Sequence, residues 1–87
     1  MNTYQVKQQP RILRRPEVLE LTGWSKSTLY NRIESHQFVK SISLGQRSIG
    51  FISYEVDAVI KAMFQEQTPE QIKQLVSELI QKRKKVA

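Results

Sequence analysis

The sequence predicts a mainly α-helical domain that carries one small β-hairpin and a further C-terminal amphipathic helix. Three observations lead there. Two short helical runs meet at a tight turn, Thr22-Gly23. The stretch FVKSISLGQRSIGFISY, residues 38–54, switches to β-forming residues interrupted by glycines. After Thr68-Pro69-Glu70-Gln71, apolar residues recur at i, i+3, i+4, i+7 and i+8.

Residues 1–10, MNTYQVKQQP, read as a flexible polar arm closed by Pro10. Arg11-Ile12-Leu13-Arg14 follows as an extended lead-in. Pro is favoured at the first helical position, so Arg15-Pro16 starts the first helix. Val18, Leu19 and Leu21 form its apolar side, and Thr22-Gly23 stops it after roughly two turns. Ser25 suits the N-cap of the second helix, its hydroxyl accepting from a backbone N–H one turn ahead. Leu29 and Ile33 are spaced i, i+4 and face the core, while Trp24 packs under the turn. Two helices joined this way form a helix-turn-helix pattern.

Val39, Ile42 and Leu44, then Ile49, Phe51 and Ile52, are the β-formers of the hairpin, with Gly45 and Gly50 near its tip. Beside a helix-turn-helix such a hairpin, about 41–52, would be a wing. Ser53 is expected to cap a third helix, with Glu55 and Asp57 suited to its positive end. Val56, Val59, Ile60, Met63 and Phe64 recur at helical spacing. Thr68 caps the fourth helix, Pro69 takes its first position and Gln71 completes a capping box. Ile72, Leu75, Val76, Leu79 and Ile80 make its stripe, and Lys82-Arg83-Lys84-Lys85 suits the negative end of its dipole. The expected organisation is an arm at 1–10, a winged helix-turn-helix at 11–66 and the amphipathic helix at 68–85.

The 87 residues suit one small domain with a modest core. With no cysteine, the chain has no disulfide, thiolate metal site or cysteine nucleophile. No apolar run is long enough to span a bilayer, and the N-terminal segment lacks the apolar core of a signal peptide. These features fit a cytoplasmic protein. The net charge is +6, with eight basic against three acidic side chains in residues 1–50 and six against five in residues 51–87. A skew of this kind favours a polyanionic partner. Enzyme chemistry has little support. His36 is the single histidine, it has no acid or nucleophile beside it, and neither a phosphate loop nor metal-ligand spacing occurs. No cofactor is expected.

The blocks RPEVLELTG, SKSTLY, LGQRSIGF and SYEVDA stand in that order within residues 11–62. Together they resemble the AlpA family of phage and prophage regulators, which is similar in fold to excisionases and MerR-type winged helices. The resemblance implies a compact winged helix-turn-helix that binds double-stranded DNA. It also implies a role as transcriptional regulator of mobile-element genes, or as an excision directionality factor that bends attachment-site DNA for an integrase. Phe51 stands where the family often has tryptophan and keeps an aromatic anchor. Residues 68–85 lie outside the resemblance.

With Leu29 and Ile33 inward, a rotation of about 100° per residue turns Ser27 and Asn31 outward, flanked by Thr28, Tyr30 and Glu34. In a recognition helix spanning about 25–35, Asn31 can pair bidentately with adenine, and Ser27 and Thr28 can reach bases or phosphates. Lys26 lies at the helix start, where a phosphate would sit. Arg32 is a flanking phosphate contact, and Tyr30 serves equally as core rim or phosphate donor. Arg47 at the hairpin tip is placed for a minor-groove or phosphate contact. Arg14, Arg15 and Lys40 are candidates for flanking phosphates. The stripe Ile72–Ile80 either covers the core or pairs with a second copy. A protein-interaction module that binds an acidic regulatory protein is the rival from another class.

Overall fold

The computed structural model describes residues 10–84. The expected arm therefore falls, apart from Pro10, outside the described residues, as does Lys85. The elements in order are β1 (Ile12–Leu13), α1 (Arg15–Thr22), α2 (Lys26–Glu34), β2 (Ile42–Gly45), β3 (Ser48–Ile52), α3 (Ser53–Phe64) and α4 (Pro69–Arg83). The fold is mainly helical with one small sheet, as the sequence predicts.

Each helix boundary has a local cause. At the start of α1, the Arg14 N–H donates to Glu17 Oε1 at 3.0 Å, one half of a capping box. Gly23 ends α1 in the left-handed region (φ 74°), and its N–H reaches Leu19 O at 2.8 Å. Ser25 caps α2 by accepting from Thr28 N at 3.2 Å. Thr68 and Gln71 form the reciprocal box of α4, at 3.2 and 2.9 Å.

The lead-in is more than extended chain. It forms β1, which pairs antiparallel with β3, so the hairpin belongs to a three-stranded sheet of order β1-β3-β2. A two-residue strand has almost no periodicity of its own, and pairing with β3 defines it. Ser53 does not cap α3, contrary to expectation: Ile52 occupies that position and no side chain caps the helix. Instead the Ser53 hydroxyl accepts from Arg11 N at 3.0 Å, and Ser53 N donates to Arg11 O at 2.9 Å. Ser53 thus extends the β1–β3 ladder into the helix start.

Other expectations need correction. Gly50 is not at the hairpin tip but lies buried inside β3, paired with Ile42. The tip is the two-residue loop Gln46-Arg47. Val39 lies outside β2 and is fully buried in the core. Leu21 and Phe64 face solvent, 55% and 79% exposed, because both fall at helix ends beyond the packed stripe.

The core joins every layer. Leu13, Val18, Leu29, Phe38, Val39, Phe51, Val56, Val59, Ala62, Ile72 and Val76 form one buried cluster. Ile72 and Val76 bring α4 into it, with Leu75, Leu79 and Ile80 packed partly buried against it. Glu55 is also buried, at 1% exposure. Expected as a dipole partner at the helix start, it instead takes Arg83 Nε on Oε2 at 2.7 Å and Arg83 Nη2 on Oε1 at 2.5 Å. Arg83 Nη2 also donates to Lys40 O at 2.9 Å. One guanidinium fork therefore ties the end of α4 to the start of α3 and to the segment before β2.

Candidate nucleic-acid interface

Helix α2 shows its outward face as the rotation predicts. Leu29 is fully buried and Ile33 packs against the core, while Lys26, Ser27, Asn31 and Glu34 are exposed. Ser27 lies 3.4 Å from Ser25 through their hydroxyls, and the Thr28 hydroxyl accepts from Ser25 at 3.0 Å. The hydroxyl cluster is thus organised around the cap. Among the described residues the Asn31 side chain makes no hydrogen bond and Lys26 no ion pair.

An aromatic stack fixes this helix relative to the wing. Trp24, in the turn, meets Phe38 edge-on with ring centroids 5.4 Å apart. Phe38 in turn lies 6.3 Å from Phe51 of β3. Phe38 and Phe51 are almost wholly buried, so turn, connector and wing pack against one another. Arg32 stacks over Trp24 at 5.1 Å from the ring centroid. Its guanidinium stays on the flank of the helix.

The remaining candidates fall into two places. Arg15 and Tyr30 meet: Arg15 Nη1 donates to the Tyr30 hydroxyl at 3.2 Å. Arg14, Arg15 and Arg47 together line a cleft between the start of α1 and the wing. Arg47 is exposed at the tip with φ 58°. Lys40 is exposed and separate from this cleft, its carbonyl held by Arg83. His36 is exposed, in the left-handed turn after α2.

Glu55 and Arg83 escaped the sequence reading as partners. A signal existed: Glu55 stands beside Val56, one turn before Val59, on the face that α3 buries. A carboxylate on such a face calls for a buried cation. Among the described residues no group of three or more His, Asp or Glu is placed to hold a metal, and no helix is long and apolar enough to cross a membrane.

A helix after a tight turn, with a polar outward face and a basic-tipped hairpin beside it, is the arrangement of the winged helix-turn-helix fold class. Residues 11–62 match the family described as prophage CP4-57 regulatory protein (AlpA), and the chain belongs to that family. It is also similar to a protein of Enterobacteria phage P4 named uncharacterized protein ORF88, with 42% identity over 50 residues. That match covers 58% of this chain and 57% of the phage protein, so the chain spans little more than half the length of this curated relative. No solved structure matches. Helix α4 lies beyond the family match.

Proposed function

We propose that this chain is a sequence-specific transcriptional regulator of a prophage or other mobile element, acting on the nucleoid in the cytoplasm. Helix α2 enters the major groove, and the wing lies on the adjacent groove or backbone. One observation carries this reading: Asn31 and Ser27 project from α2 while the Trp24–Phe38–Phe51 contacts link the turn before that helix to the strand of the Arg47 wing. A defined spacing between two DNA-contacting elements lets a small domain fix its register on a duplex. Asn31 reads adenine, Ser27 and Thr28 contact bases or phosphates, and Lys26, Arg32 and Lys40 contact phosphates.

The test is genome-wide recovery of DNA bound to the protein in its host, together with Asn31→Ala. Sharp sites at promoters are the expected result. The Asn31→Ala chain should keep its circular dichroism spectrum and lose about 1–3 kcal/mol of binding to those sites. Sites inside an integrase attachment region would instead make it a directionality factor that bends DNA for recombination. A well-expressed protein with no discrete sites would overturn DNA readout and favour an acidic protein partner.

A further inference from the structure

The cleft between α1 and the wing gathers more positive charge than packing needs. Arg14, Arg15 and Arg47 line it with Pro16 and Ile49, in a volume of about 300 Å³. No carboxylate is among these lining residues. Three arginine side chains lining one space gather like charge there, and arginine does not shed its proton to relieve it. The nearest acid in α1, Glu17, is turned to other donors: it accepts from Arg14 N at 3.0 Å and lies 3.8 Å from Arg11 Nη2. Arg15 donates to Tyr30, a neutral phenol that orients it without compensating its charge. Among the described residues, neither Arg14 nor Arg47 has an acidic partner. The helix end itself offers few backbone donors, since Pro16 has no N–H and Glu17 N donates to Arg14 O at 3.0 Å. The side chains make the site.

We propose that this cleft seats one phosphodiester group of the DNA backbone, shared by Arg14 and Arg15 of α1 and Arg47 of the wing. The proposal rests on the DNA-binding reading above and deepens it: helix start and wing tip hold a single phosphate rather than two separate ones. The planar guanidinium fork matches a phosphate's oxygens, and the anion offsets the like charge of the three arginines. The bound phosphate pins the wing to α1. Tyr30, which holds Arg15, is a positioning residue that links the site to the recognition helix.

The experiment is a double-mutant cycle. The full chain and its Arg14→Ala, Arg47→Ala and doubly substituted variants are titrated with the duplex from the strongest genomic site over a range of salt concentrations. Circular dichroism verifies the fold of each. A shared phosphate predicts that each single change weakens binding and that the double loses less than the product of the single losses. The slope of log K against log salt should then become measurably shallower in the double variant, by up to about 0.9, the value of one phosphate. Multiplying losses with a slope change of about 1.8 would mean two phosphates and overturn the proposal. Unchanged slopes would overturn it too. A wild-type chain that binds no duplex fails the DNA reading itself. If inorganic phosphate then shifts the arginine Nε resonances, the cleft is a free-anion site and its assignment to DNA is wrong.

Discussion

At Gly50 a β-carbon would sit 2.6 Å from Ile12 Cγ2 and 3.0 Å from Leu44 Cδ1. The Ile12 methyl belongs to a stiff β-branched side chain, so β1 itself has to move to make room. Gly50→Ala should therefore destabilise the domain by about 1–3 kcal/mol, read as a lower urea midpoint. An unchanged midpoint would show that β1 is not held against β3. Arg47 presents the reverse case. Its left-handed φ of 58° is a conformation that glycine adopts more readily. Arg47→Gly relieves that strain but loosens the unfolded chain, leaving a net gain of roughly 0.5–1 kcal/mol. The same variant should bind DNA more weakly and with a shallower salt slope. Stability and affinity moving in opposite directions would mark Arg47 as kept for binding.

Among the elements, α4 is joined to the rest by two unlike devices. Its start is set locally: Thr68→Ala removes the cap and should cost about 1 kcal/mol. Its end is set by the Arg83–Glu55 pair, with Glu55 at 1% exposure. Arg83→Ala strips a buried carboxylate of its partner and frees the Lys40 carbonyl. It should cost about 3 kcal/mol, well above the cap variant. Thermal melts of the two variants side by side check the order. Equal losses would mean that water reaches Glu55 once Arg83 is gone. Because Arg83 also holds the segment that leads into β2, its removal should loosen the wing, seen as faster amide exchange in β2 than in α1.

For the molecule as a whole, the question is whether α4 is an appendage or part of the core. Ile72 and Val76 belong to the same buried cluster as Val56 and Val59, which places the helix inside the core. Truncation after Gln67 uncovers that cluster and should abolish cooperative unfolding. A truncated chain with a sharp melt would refute this. Pairing with a second copy would have to use what Leu75, Leu79 and Ile80 leave exposed, since Ile72 and Val76 already pack within one chain. Sedimentation over a range of concentrations tests such pairing.

Much of the architecture was legible in the residues because its signals are local. Pro16, Gly23, Ser25 and the Thr68-Pro69-Glu70-Gln71 run set helix ends through contacts within one turn. The Leu29–Ile33 spacing set the outward face of α2 by rotation alone. The four ordered blocks carried the family, and the charge skew pointed to the polyanionic partner proposed for it. What tertiary structure alone decided rests on contacts between residues far apart in the chain. A two-residue β1 exists only because β3 offers it a ladder. Ser53 serves Arg11 rather than its own helix. Glu55 finds its cation 28 residues away. Arg14 and Arg15 meet Arg47 across a cleft that no periodicity encodes. Local hydrogen bonds and helical rotation are written in neighbouring residues. Pairing, burial and the convergence of charge arise only when the chain closes on itself.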